Sequence, residues 1–200
     1  MTKLLCYLYV EGDRDLRLTI GITGASGVIY GIKILEELKK KDVETHLIIS
    51  KWGGFNIKEE TEYSLEAVKA LASYYYEADD LAANISSGTF QSDGMIIAPC
   101  SMKTLSGIAH GFTNNLLIRA AEVAIKEGRK LVLLVRETPL SPIHLENMLK
   151  LSRLGIVIMP SVPAFYVKHQ SMKDIIQQTV GRVCDLFGLK GEDFQRWQHP

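Results

Sequence analysis

The sequence predicts an α/β protein built on a doubly wound parallel sheet, and three observations predict it. Short runs of branched apolar residues recur along the chain, segments with apolar positions at helical spacing lie between them, and the runs stop at glycine, serine, proline or charged residues. Strands buried on both faces read as continuous apolar runs. Strands alternating with helices close into a parallel sheet through right-handed crossovers.

The first strand is predicted over Leu16 to Thr23; it runs into Gly24-Ala25-Ser26-Gly27, after which Ile32, Leu35 and Leu38 mark a helix. Thr45 to Ile49 ends at Ser50-Lys51, and Met95-Ile96-Ile97-Ala98 stops at Pro99-Cys100-Ser101, where a further helix begins. Leu131 to Val135 stops at Arg136-Glu137, and Gly155 to Met159 stops at Pro160. Helices are predicted over Leu116 to Lys126, Pro142 to Leu154 and Met172 to Phe187. Ser141 caps the second with Pro142 at its first position, and Gly188 closes the third. The 200 residues suit one domain, residues 16–188, flanked by an amino-terminal extension (1–15) and a carboxy-terminal tail (189–200). Ligands of open α/β sheets bind at the carboxyl ends of the strands, where these polar residues gather.

Composition narrows the partners. Basic and acidic side chains balance at 23 each, with 46% apolar residues. A soluble globular chain follows, with no electrostatic reason to bind nucleic acid or an anionic membrane, and near-neutral chains self-associate readily. Any anion site must therefore be local. Cys6, Cys100 and Cys184 are odd in number and far apart, with no paired spacing that suggests a disulfide framework or a zinc site, and a reducing cytoplasm fits. The apolar stretch before Glu11 lacks the cleavage site of a signal peptide, and no run approaches the roughly 20 residues of a membrane span. The five histidines show no metal-ligand spacing, so no catalytic metal is expected; His144 and His169 are read as structural.

Gly21-x-x-Gly24-x-x-Gly27 departs from the dinucleotide fingerprint G-x-G-x-x-G and admits two readings. It is either a packing turn or a helix start whose free amides attract a phosphate or the electron-rich edge of a ligand. A nicotinamide dinucleotide would want a carboxylate after the second strand, where Ser50-Lys51 stands instead, so a dehydrogenase is disfavoured. Ser101 and Thr104 at a helix start serve equally as a plain cap or as a grip on a phosphate or ribityl chain. Cys100 is read as a small buried residue. Arg119, Lys126, Arg136 and Arg182, taken singly, are ordinary surface charges, and so are Glu60, Glu137 and Glu146.

Together, Gly24-Ala25-Ser26-Gly27, Ser50-Lys51, Glu60-Thr61, Pro99-Cys100-Ser101, Asn114-Asn115, Arg136-Glu137, Ile143-His144-Leu145-Glu146-Asn147-Met148-Leu149 and Pro163-Ala164-Phe165-Tyr166 resemble the flavin prenyltransferases (UbiX/Pad1-like) in identity, order and spacing. The likeness runs from about Leu16 to Trp197. Ser50-Lys51-Trp52 and Ile85-Ser86-Ser87-Gly88 resemble the branch associated with phenolic-acid decarboxylases. The resemblance implies a flavodoxin-like, Rossmann-like three-layer sandwich, assembled as a dodecamer with active sites between subunits. It also implies a metal-independent reaction in which a dimethylallyl group passes from dimethylallyl phosphate to N5 and C6 of reduced FMN. The prenylated FMN then goes to a separate UbiD-like decarboxylase.

Carried over position by position, Gly24, Ala25, Ser26, Ser50, Ser101, Met102, Lys103, Thr104 and Arg136 match the flavin-binding residues. Arg119, Lys126, Glu137, Tyr166 and Arg182 match those that hold the prenyl phosphate, and Trp197 an aromatic of the tail that packs over the site. Glu60 matches a buried acid-base carboxylate, with Ser26 beside it as proton relay and Glu137 completing the catalytic set. Fixed cations suit a departing phosphate, and an apolar pocket would shield an allyl cation from water. The sequence departs from the family in residues 1–15 and in Gly53-Gly54, which is expected to loosen a loop near Glu60. Two rivals stand beside this reading: an FMN-dependent cysteine decarboxylase, which would need a histidine at the flavin, and a non-catalytic FMN carrier.

Overall fold

The computed structural model describes residues 16–168, 170–191 and 194–197. The extension 1–15, with Cys6, and His169 lie outside the described residues.

Six parallel strands form one sheet in the order β3-β2-β1-β4-β5-β6. They are β1 (Arg17–Ile22), β2 (Glu44–Ile49), β3 (Tyr74–Tyr76), β4 (Gly94–Cys100), β5 (Lys130–Val135) and β6 (Val157–Ile158). The helices are α1 (Ile29–Lys40), α2 (Lys51–Glu60), α3 (Leu65–Lys69), α4 (Met102–His110), α5 (Leu116–Lys126), α6 (Pro142–Arg153) and α7 (Met172–Leu186). The predicted doubly wound fold is the observed one. Among the described residues no helix is long and apolar enough to cross a membrane.

Period-two alternation along each strand sends neighbouring side chains to opposite faces. In β5, Val132 and Leu134 join the core under α1 and α7, while Leu131, Leu133 and Val135 join the core under α4, α5 and α6. Both layers are dry, with Leu18, Ile20, Ile32, Leu35, Leu105, Leu116 and Leu133 fully shielded from solvent. The predicted limits of the helices agree with those observed to within a residue, and Ser141 caps α6 as expected, its Oγ accepting from His144 N.

Three expectations change. The chain predicted to stop being a strand at Pro99 continues to Cys100 through a cis Ala98–Pro99 bond, with a register shift against β5. The predicted strand Gly155 to Met159 shrinks to Val157–Ile158, because Gly155 sits at φ 82° as the left-handed exit from α6. Gly53 and Gly54 do not loosen a loop; both lie inside α2, and Gly53 is buried where a Cβ would come within 2.6 Å of Ile22 O. Glycine is there for close contact with the end of β1, not for mobility.

Candidate active site

Strand order reverses between β1 and β4, and the loops leaving these neighbours part to opposite faces. A buried hydroxyl stitches the two ends together. Thr23 Oγ1 donates to Pro99 O at 2.7 Å and accepts from Ser101 N at 2.8 Å, with 1% of the residue exposed. The turn after β1 and the start of α4 are thereby fixed relative to each other.

The carboxyl end of β2 is tied in the same way. Ser50 N donates to Ile22 O at 2.9 Å, and Ser50 Oγ caps α2 by accepting from Gly53 N at 3.0 Å. Ser101 Oγ accepts from Thr104 N and donates to Thr104 Oγ1 at 3.1 Å, leaving the threonine hydroxyl proton for another acceptor. Gly24 has no room for a side chain, since a Cβ there would lie 2.3 Å from Trp52 Cβ.

These three strand ends enclose a cavity of about 1000 Å³. Gly24, Ser50, Ser101, Lys103 and Thr104, all predicted flavin-binding residues, line it together. Around them stand Lys51, Trp52, Phe55, Lys58, Lys69, Tyr75 and Asn115. Trp52 and Phe55 meet edge to face at 5.5 Å, both more than half exposed, an unusual cost unless something apolar covers them. Lys69 lies 4.1 Å above the Tyr75 ring and 3.7 Å from Glu77. Burial and the bond to Glu77 push the Tyr75 phenol far above its ordinary range, so it stays protonated. Cys100, buried beneath the α4 start, has its thiol pushed up to about 12 and is inert.

Glu60 ends α2 and turns back to α1, where its Oε2 accepts from Gly27 N at 2.7 Å and Val28 N at 3.4 Å. The helix-start amides expected to be free for a ligand are therefore bonded to a carboxylate. Glu60 is also exposed in this chain, not buried, because α2 ends at the protein surface. Ser26, one residue before Gly27, has an exposed side chain; Ala25 is buried, its carbonyl accepting from Asn56 Nδ2.

The other predicted residues lie outside the cavity. Met102 packs on the core beneath α4, and Arg136 is exposed, its amide bonded to Cys100 O. Glu137 is exposed and accepts from Thr138 N. Arg119 Nε donates to Ser86 O at 3.0 Å, and Lys126 pairs with Glu127. Arg182 pairs with Asp185 at 2.8 Å. Tyr166 meets Trp197 edge to face at 5.5 Å. Arg119 and Lys126 ride on α5 and Arg182 on α7, opposite layers of the sandwich. Thr23, Phe55, Lys58, Lys69 and Tyr75 escaped the sequence reading, although Trp52 and Phe55 at i,i+3 were a signal of one aromatic helix face.

Residues 8–184 match the Flavoprotein family. "Flavin prenyltransferase PAD1, mitochondrial" of Saccharomyces cerevisiae is 54% identical over 185 residues, covering 92% of this chain and 76% of its own. The chain belongs to the flavin prenyltransferases. This flavoprotein superimposes with a TM-score of 0.92 and 52% identity on AnUbiX (PadA1) in complex with FMN and dimethylallyl pyrophosphate, covering 94% of this chain and 100% of that one. A dodecameric FMN-dependent UbiX-like decarboxylase from Escherichia coli O157:H7 matches with a TM-score of 0.91 and 51% identity, over 92% of this chain and 100% of that one.

Proposed function

We propose that this flavoprotein joins a dimethylallyl group from dimethylallyl phosphate to N5 and C6 of reduced FMN, making prenylated FMN for a UbiD-like decarboxylase. One observation carries the reading: a hydroxyl-lined, aromatic-walled cavity at the switch point of the sheet, in a chain half identical to a protein seen with FMN and a prenyl pyrophosphate. The cavity suits FMN. Its volume is ample for the molecule, and Trp52, Phe55 and Tyr75 offer apolar faces to a flat ring. Ser50 and Thr104, with the α4 start at Met102 and Lys103, offer donors to a phosphate or ribityl chain.

Reduced FMN supplies the nucleophilic N5 and C6 when bound. The chain's own groups do the rest. Arg119, Lys126, Arg182 and Tyr166 hold the prenyl phosphate, their charges and hydroxyl stabilising it as the allylic C–O bond breaks. Glu137 orients that cluster, and Arg136 contacts the flavin. Glu60 mediates the proton movements of ring closure, delivering a proton to the prenyl double bond and accepting the one that C6 loses, with Ser26 as relay. Its bonds to Gly27 N and Val28 N keep the carboxylate fixed at the turn carrying Gly24, Ala25 and Ser26.

Arg119 and Lys126 lie on the opposite face of the sheet from Arg182, which supports bringing them together across a subunit contact rather than within one chain. The site is accordingly completed between subunits, as a dodecamer like that of the E. coli relative allows. The same packing would cover Glu60, Trp52 and Phe55. The chain works in the cytoplasm as residues 16–188, with 1–15 as an appendage and 189–200 as a tail that closes the site.

Anaerobic incubation with reduced FMN and dimethylallyl phosphate, then mass spectrometry of the extracted flavin, tests this. A gain of one dimethylallyl unit, dependent on the protein, is expected. Release of carbon dioxide from a cysteinyl peptide would favour the cysteine decarboxylase, and unchanged FMN in a protein binding both ligands would favour the carrier. Glu60→Gln should impair prenylation while largely preserving FMN binding; normal output from it would remove Glu60 from the acid-base role.

A further inference from the structure

Four residues of α7, Gln178, Gly181, Arg182 and Asp185, recur at i, i+3, i+4 and i+7 and so form one stripe along the helix. The tail segment Phe194–Trp197 lies along that stripe. Gln178 is buried, and its amide reads one backbone unit of the tail twice: Nε2 donates to Gln195 O at 2.8 Å, and Oε1 accepts from Gln195 N at 3.1 Å. One turn further on, Gly181 has no space for a side chain, because a Cβ there would stand 2.5 Å from Phe194 Cβ. At the next turn Asp185 takes Arg182 on one oxygen and Arg196 on the other.

This seat has a visible result. Trp197 is set edge to face against Tyr166, whose hydroxyl reaches Gln195 O at 3.5 Å, and yet Trp197 stays 66% exposed and Tyr166 48% exposed. A tail fastened at three successive helix turns thus presents Trp197, with Tyr166 against it, outward on the segment whose Arg196 shares Asp185 with Arg182. Ordering a terminal segment costs roughly 1–2 kcal/mol per residue in backbone entropy, so such fastening calls for something the exposed rings are held to meet.

We infer that Gln178 and Gly181 are positioning residues that lock the tail onto α7, fixing Trp197 against Tyr166, with Arg196 joined to Arg182 through Asp185, as one preformed wall for the prenyl phosphate donor. The inference rests on the prenyltransferase reading above. Neither residue touches the flavin cavity, so the wall is separable from FMN binding.

The test uses the full-length protein in its native assembly. Gln178→Leu removes both hydrogen bonds at similar size, Gln178→Glu keeps only the acceptor, and Gly181→Ala displaces Phe194 independently of either. Two readouts are taken: hydrogen exchange of the tail peptide containing Gln195, and steady-state prenylation. The expected result for Gln178→Leu and Gly181→Ala is faster tail exchange and a KM for dimethylallyl phosphate raised about tenfold or more, the size expected from one or two lost hydrogen bonds. FMN affinity should stay within about twofold, and Gln178→Glu should fall between. Unchanged exchange would overturn the clamp, and faster exchange with unchanged KM would overturn the positioning role. A parallel loss of FMN affinity would mean general damage and overturn it too. Wild-type protein that prenylates nothing would sink the function and the positioning role with it, while the exchange data would still decide whether Gln178 holds the tail.

Discussion

Removing the Thr23 hydroxyl with Thr23→Val leaves the side-chain shape intact but strips Ser101 N of its acceptor and Pro99 O of its shorter donor. Pro99 O keeps a weaker bond from Thr23 N at 3.3 Å, whereas Ser101 N loses the 2.8 Å bond it makes to the hydroxyl. A buried donor left unpaired costs about 1–3 kcal/mol and a further lost bond about 1 kcal/mol. The total of about 2–4 kcal/mol corresponds to a fall in Tm of roughly 4–16 °C for a chain of this size. Thr23→Ser keeps the hydroxyl and loses one methyl, about 1 kcal/mol. Differential scanning fluorimetry, alone and with FMN, should rank wild type above Ser above Val. Because Ser101 caps α4 and lines the cavity, FMN affinity should follow the same order. A serine variant as damaged as the valine, or a valine variant as stable as wild type, would show that packing and not the hydroxyl joins the two strand ends.

Gly24→Ala should drive Trp52 away from the turn and cut FMN affinity at least tenfold by titration, since its Cβ would lie 2.3 Å from Trp52 Cβ. Burial lowers the His46 pKa below its ordinary 6.5, against the raising effect of Glu44, so the unfolded chain binds more protons just below pH 6.5. Stability should therefore fall as the pH drops from about 6.5 towards the depressed folded value, and His46→Phe should flatten that slope in urea titrations at several pH values. Arg119→Ala and Arg182→Ala proteins should each be inactive, yet co-assembled mixtures should regain activity. No recovery in verified mixed assemblies would place both arginines in sites within single subunits.

The sheet was legible because its strands are buried on both faces, and runs such as Leu131 to Val135 have one reading. Tyr74–Tyr76 at the edge did not announce itself, being three residues long and held by pairing with His46, Leu47 and Ile48 more than by any apolar pattern. The helix α2 was hidden by Gly53-Gly54, a pair that opposes helix by propensity. Contact with Ile22 O at the end of β1 outweighs that penalty, and a tertiary contact leaves no trace in local sequence.

The site was legible in unequal halves, for a physical reason. Hydroxyls and glycines next to strand ends are placed by the strand itself, so Gly24, Ser50, Ser101 and Thr104 converge within one chain as soon as the sheet forms. The cations lie on helix surfaces, and a helix position fixes the layer but not the neighbour. That is why Arg119 and Arg182 could be named from sequence without any sign that the sheet lies between them. Each is held in its own layer by a partner, Ser86 O for Arg119 and Asp185 for Arg182. Two arginines preformed on opposite faces avoid mutual repulsion while the chain folds. In the proposed assembly they would meet only there, around an anion that offsets their charge, so the subunit contact and the phosphate site would stabilise each other.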